Sequence, residues 1–496
     1  MNKGGAKLQR ILKRIFKILV FLIFGIIGLI SLLFILSKSP SVQTYLINLL
    51  TNSLKEEYNL DVEIDHFYLS GFKSIDLEHV LIRDYKNDTL IYVGELEAEV
   101  SLPGLLNQRT LELSEVDLKK PQIHLKKYLG DSTLNINFFI AKLKSKPKSG
   151  DSTSSQFKII TDGIKLSDGI FKYDLEGDTT NYENRFKPSS FRFNDINISL
   201  THFSIAGDII ESHIESLQLV ETGSHKELII QNSELHLENG KIQFNIIDLE
   251  FGNTHITDSL ILSANSWASW TDFEENVFIN AEFVNCKIDL EDIGYFIPLK
   301  SDFKPRFIIN SGITGTLSSI RLSEFSIVYL NSFVRGNASF DGLPNLDNTM
   351  MALDILDSEF NYLDFKEFVP EKFHSTLQNI QKLNLEGNFD GFYYDFVADG
   401  EFKTRLGKVI TDINLKIPDE GKAKYSGNLK TRNFQLGRLI QQEELFQRIN
   451  LDASLKGSGL QSSNADLVMN AVLRSSGIYG HKYDTIRFNA RLEENL

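Results

Sequence analysis

Ten histidines, one cysteine and a few adjacent acid pairs are the residues of this 496-residue chain that could do chemistry. Hydrolysis or metal-assisted catalysis needs such groups at set spacings, and there is no H-E-x-x-H, no G-x-S-x-G, no Walker-type glycine loop and no G-x-G-x-x-G. His79, His124 and His236 stand inside alternating strand-like runs, where a histidine with a polar neighbour is expected rather than a ligand. S-x-x-K occurs at Ser70 to Lys73 and at Ser145 to Lys148, without the companion motifs of a serine nucleophile. The pairs Glu56 and Glu57, Glu274 and Glu275, and Glu493 and Glu494 read as solvated turn residues, not as a general acid and base. Cys286 stands alone, which excludes an intramolecular disulfide and a thiolate zinc cluster. No catalytic, metal or cofactor residue is expected, and the chain is expected not to be an enzyme. The sequons at Asn87, Asn197 and Asn337 would matter only in a glycosylating pathway.

The chemistry the sequence does support is apolar contact. In TLIYVGELEAEVSL, the alternation of a strand puts Leu90, Tyr92, Leu96, Ala98, Val100 and Leu102 on one face and Glu95, Glu97, Glu99 and Ser101 on the other. Such a stripe fits contact with acyl chains, and it fits equally the core-facing side of any half-buried sheet. Similar runs recur as LELSEVDL, LIIQNSELHLENGKIQFNIIDLEF, VFINAEFVNCKIDLEDI, IRLSEFSIVYL and KVITDINLKI. With 36 Phe, 16 Tyr and only 10 Pro, they predict a mainly β body built as an elongated, repetitive antiparallel sheet. Glycines recur about every seventy residues, at Gly312 and Gly315, Gly387 and Gly391, and Gly457 and Gly459. Allowing about twelve residues per strand and turn, the body after Leu60 holds on the order of 35 strands. Helical spacing competes only at Leu363 to Leu377, with Pro370 inside it, and at Leu436 to Arg448.

The elements that must hold this sheet in place lie at the N-terminus. Residues 18–36, ILVFLIFGIIGLISLLFIL, carry no charge and are long enough to cross a bilayer as one helix. Residues 1–17 form a basic arm with Lys3, Lys7, Arg10, Lys13, Arg14 and Lys17 and no acid, so the arm is expected in the cytoplasm and the body outside it. Residues 37–59 predict an amphipathic connecting helix, with Val42, Leu46, Leu49, Leu50 and Leu54 at helical spacing. A membrane-proximal β region follows over 60–143, then a Ser/Lys-rich linker over 144–156 and the repetitive β region over 157–496. The net charge of −14 argues against a nucleic-acid partner.

Several segments resemble the N-terminal region of the TamB group of AsmA-like proteins, the translocation and assembly modules of Gram-negative envelopes. They are SPSVQTYLINLLTNSLKEEYNLDVEI, IDLEHVLIRDYKNDTLIYVGELEAEV, LSEVDLKKPQIHLKKY and STLNINFFIAKL. Later ones are LSANSWASWTDFEENVFINAEF, ITGTLSSIRL and NASFDGLPN. The resemblance implies an inner-membrane anchor, a periplasmic body and a long β-trough with an apolar inner face. It also implies phospholipid transport toward the outer membrane, and assembly of outer-membrane proteins with a barrel partner. Family members are longer and carry a C-terminal domain not recognisable before ARLEENL, which suggests a fragment. Three functions follow as expectations: a lipid conduit, an outer-membrane assembly factor, or an inert anchored scaffold.

Overall fold

The computed structural model describes residues 39–58, 60–70, 74–100, 110–144, 158–180, 185–296, 305–369, 371, 374–460 and 465–493. The basic arm, the apolar segment 18–36, Lys73, Leu102, residues 145–156, Pro370 and Glu494 lie outside them. Among the described residues no helix is long and apolar enough to cross a membrane.

A helix spans Pro40–Tyr58, with proline in its first turn where the missing N–H is harmless. The chain then becomes mainly β and divides into two compact units after Asn232. The first unit holds β1 (Val62–Glu63), β2 (His66–Ser70), β3 (Ser74–Arg83), β4 (Thr89–Val100), β5 (Thr110–Lys119), β6 (Gln122–Lys127), β7 (Lys158–Leu175), β8 (Ser190–Ala206) and β9 (Ile209–Glu221). Strand β10 (Glu227–Glu238) runs through the division.

The expectation of a wholly antiparallel sheet is corrected here. β5 and β6 both pair with β7 in parallel. A parallel partner requires the chain to travel back along the sheet before re-entering it. The helix Asn135–Lys144, which the sequence reading missed, lies in the connection between β6 and β7.

The second unit continues with β11 (Lys241–Phe251), β12 (Thr254–Ser263), β13 (Phe278–Asp289), β14 (Arg306–Gly315), β15 (Ser319–Tyr329), β16 (Ser332–Asp341), β17 (Met350–Asn361), β18 (Lys382–Phe392), β19 (Asp395–Thr404), β20 (Gly407–Lys416) and β21 (Lys424–Arg432). After the two-residue strands β22 (Phe434–Gln435) and β23 (Arg448–Ile449) come β24 (Leu451–Ser458), β25 (Asp466–Ile478) and β26 (His481–Leu492). From β11 to β21 and on through β24 to β26 the ladder is antiparallel between successive strands. The 26 described strands fall short of the 35 expected because they are longer than allowed for, with 18 residues in β7 and 17 in β8.

Short helices follow β13 (Leu290–Phe296), β17 (Tyr362–Phe365, then His374–Ile380) and β21 (Leu436–Ile440), at intervals of four strands. The glycine-bearing segments sit on the next ladder strand each time, β14, β18 and β24. Two of the helices place a buried carboxylate against a hairpin turn. Asp292 accepts from the Asn253 and Thr254 amides at 2.7 and 2.8 Å and from Thr254 Oγ1 at 3.0 Å. Asp364 accepts from the Asn331 amide at 3.0 Å and Ser332 Oγ at 2.6 Å. These bonds satisfy turn amides that would otherwise be buried without partners. The expected helix at 436–448 is shorter, because Gln441 turns left-handed at φ 59° and ends it.

Candidate functional site

The predicted stripe divides on the structure. Leu96 and Ala98 are half-buried, whereas Glu95, Glu97 and Glu99 are exposed on the opposite face. Leu90 is fully buried and presents no surface to a ligand. It belongs to a continuous apolar run, Leu90 to Val93, in which Val93 is also buried. Clean alternation begins only after Gly94. Tyr92 is half-buried and stacks on His79, ring centroids 6.3 Å apart. Val100 lies across from Leu113, and Leu102 is outside the described residues.

Cross-strand partners share a face, so the ladder registers show how far the stripe extends. In the first unit Leu77, Leu96, Leu118, Leu166, Ile198 and Leu217 form one apolar row across six strands. Ile75, Ala98, Val116, Ile164, Leu200 and Ile214 form a second beside it.

The second unit repeats the arrangement over fourteen strands. One row runs Phe244, Leu260, Ala281, Ile313, Leu322, Ala338 and Leu353. It continues through Phe389, Ala398, Ile413, Gly427, Leu455, Met469 and Ala490. The next row toward one strand end includes Ile320, Phe340, Met351, Phe396, Leu415, Tyr425 and Leu467. In these two rows the buried members are alanines, Ala281 and Ala338, while the large side chains from Phe244 to Met469 are only half-buried. A row closed under a second layer would bury its large side chains first. The signal was present in KVITDINLKI, whose Val409, Thr411, Ile413 and Leu415 point one way.

The opposite face is polar. Asn388, Asp399, Asp412 and Asn428 lie in register, with Asn388 Nδ2 donating to Asp399 at 3.3 Å and Asn428 Nδ2 to Asp412 at 3.0 Å. Defined cavities of about 340 and 350 Å³ open on polar side chains, one beside Glu97, Glu115, Asp117 and Asp162, the other beside Asp399 and Asp412.

The titratable residues singled out from sequence are each held by a carboxylate of their own. His79 Nδ1 is 3.2 Å from Asp65, His124 Nε2 2.7 Å from Asp174, and His236 Nε2 3.7 Å from Glu238. Ser190 Oγ donates to the other oxygen of Asp174 at 2.7 Å. Serine and histidine thus flank the acid, an order in which histidine cannot take the serine proton. Among the described residues no group of three or more His, Cys, Asp and Glu could hold a metal ion.

The richest polar network ties the crossover helix to the β3–β4 turn. Fully buried Asn135 accepts from the Lys126 amide at 2.9 Å and donates to Asp84 at 3.0 Å. Tyr128 donates to Asp84 at 2.7 Å and Asp88 at 2.9 Å, and Lys126 Nζ lies 4.5 Å from the Tyr128 ring centroid. Burial, then these bonds to Asp84 and Asp88, push the Tyr128 hydroxyl well above its usual range. Burial, then the bond to Asp131, raise Tyr85 to about 12. The Tyr128 hydroxyl, then Lys126, hold Asp88 below the ordinary carboxylate range. Both phenols stay protonated as donors, so the network is a structural corner.

No protein-family model, no curated protein and no solved structure matches the chain.

Proposed function

We propose that the apolar rows carry phospholipid acyl chains, with the chain anchored in the inner membrane by residues 18–36 and its body in the periplasm, conducting lipid toward the outer membrane. The single observation that carries this reading is the row Phe244 to Ala490, apolar at every position but Gly427 and only half-buried at its large side chains. Acyl chains resting on Leu, Ile and Phe exchange one apolar surrounding for another, so movement costs little net burial. The sequence resemblance supports the anchor and the direction. The reading assigns no catalytic step, cofactor or nucleic acid.

The test is lipid retention after purification in mild detergent. The wild-type chain should retain phospholipid. Ala398→Asp, at the middle of the row, should lower retention severalfold while strand content persists, because a charge on an apolar path holds water. Equal retention in the variant, or no lipid in an abundant folded wild type, contradicts the proposal.

A further inference from the structure

At one end of the second unit the polar face turns basic. Lys416 and Lys424 are directly opposed across β20 and β21, a like-charge pairing that a sheet ordinarily avoids. Lys456 lies across from Ser426, and Arg491 across from Val468, itself the partner of Lys456. Four cations therefore occupy one face of a few adjacent strands in a chain whose net charge is −14. Lys416 is paired with Asp395 at 2.5 Å and Arg491 with Glu493 at 2.7 Å. Lys424 and Lys456 have no carboxylate partner among the described residues. The cluster lines a cavity of about 790 Å³ with Asn414, Ser426 and Tyr425 and with two carboxylates, Asp466, paired with Lys422, and Glu493, paired with Arg491.

Two neighbouring features say what the cations face. Each lies one residue along its strand from an apolar-row position: Lys416 beside Leu415, Lys424 beside Tyr425, Lys456 beside Gly457 and Arg491 beside Leu492. Of the exposed apolar side chains at this end, Val468 shares the cations' face, while Ile417 and Leu492 stand on the apolar face. Cations on one face, at the strand ends of an apolar path on the other, match an amphiphile with an anionic head, since lysine stems are long enough to reach past the strand ends.

We propose that Lys416, Lys424, Lys456 and Arg491 form a headgroup site for an anionic phospholipid, holding its phosphate while an acyl chain lies on the adjoining row. The site rests on the acyl-chain reading of that row. An anionic lipid would resolve the opposed lysines and occupy the unpaired ones, and would be favoured over a zwitterionic lipid by roughly fivefold per lysine engaged.

The full chain in mild detergent is mixed with equal phosphatidylglycerol and phosphatidylcholine, and retained lipid is quantified by mass spectrometry. Wild type should retain phosphatidylglycerol preferentially, less so as salt rises. Lys424→Gln with Lys456→Gln should cut the preference by about tenfold or more while total retained lipid stays near wild type. Lys482→Gln, at the opposite strand end, should change nothing. Unchanged preference in the double variant overturns the headgroup site and leaves the acyl path standing. Total retained lipid unchanged in Ala398→Asp, with the phosphatidylglycerol preference intact, would overturn the acyl path and not the headgroup site. Full displacement of phosphatidylglycerol by millimolar inorganic phosphate would assign the site to free phosphate and overturn the lipid.

Discussion

Between β11 and β18 every ladder of the second unit is interrupted once, whereas from β18 through β26 the ladders run without a shift. Both halves nevertheless present the same apolar rows. The bulged half does so by stepping three residues instead of two: Phe244 to Ile247, Phe283 to Cys286, Leu322 to Phe325 and Ile355 to Ser358. Each step leaves unpaired residues on the bulged strand and bends it. Apolar residues caught in the step, Ile246, Val284 and Leu356, are exposed.

The bulges also need a partner for the amide they free. Asn285 and Glu324, at φ 54° and 48°, donate their amides to Asn310 and Asn337 on the next strand at 2.8 and 3.0 Å. Asp168 and Asn433, also at positive φ, donate to Asn197 at 3.3 Å and Asn450 at 2.7 Å. An asparagine on the following strand is thus a recurring complement to a left-handed residue. The unbulged half keeps one such pair, Asn433 with Asn450, and also uses asparagine as an exposed donor to a neighbouring aspartate.

The largest expected effect that separates the halves is at the hairpin ends. Asp292→Ala should destabilise the second unit by about 3 kcal/mol in denaturant unfolding, because two amides and a hydroxyl lose a buried acceptor. The β19–β20 turn has no such acid, its Leu406 carbonyl accepting instead from the Gln435 amide at 2.7 Å. A loss under about 1 kcal/mol for Asp292→Ala would mean the turn is not held by that carboxylate.

Next comes the bulge acceptor. Asn337→Ala should cost about 1 to 2 kcal/mol and speed hydrogen exchange at the Glu324 amide. Asn428→Ala, in the unbulged half, should stay within about 0.5 kcal/mol because the Asn428 side chain only donates to the exposed Asp412 carboxylate and no backbone amide depends on it. Equal costs at the two positions would erase the distinction.

The smallest effect belongs to the first unit's corner, where the polar groups are mostly exposed. The Leu129 amide, then Lys126, hold Glu176 below its ordinary range, as the Tyr128 hydroxyl, then Lys126, hold Asp88. A depressed carboxylate contributes stability that is full above its unfolded pKa of about 4 and is lost as pH falls through the lower folded value. Amide protection at residues 84–88 should therefore hold from neutrality to about pH 5 and decline below about pH 4. A decline already complete near pH 6 would contradict this account.

How much of this was legible follows from where the period holds. DINLKI and ELEAEV alternate strictly, and both sit in register as read. The glycine recurrence also fell on the strand that follows each helix. Of the four steps only Leu322 to Phe325 is written apolar-polar-polar-apolar; in the others Ile246, Val284 and Leu356 fill a polar place with an apolar residue and hide the bulge. The parallel junction was invisible because it depends on pairings between residues about fifty apart, such as Leu118 and Leu166. Leu90 misled because Ile91 and Val93 are as apolar as it is, so the run carries no face preference. The corner of Asp84, Tyr128 and Asn135 had no motif, since its members join only through the crossover.

Phe396 and Val397 test the central claim most directly. They are adjacent and both apolar, but Phe396 belongs to the apolar row and Val397, 54 % exposed, to the opposite face. A photo-crosslinking residue at each position, activated in living cells, would be scored for attached phospholipid. The account predicts strong labelling at 396 and little at 397. Equal labelling at both, or none at 396 in a folded and abundant protein, would contradict it.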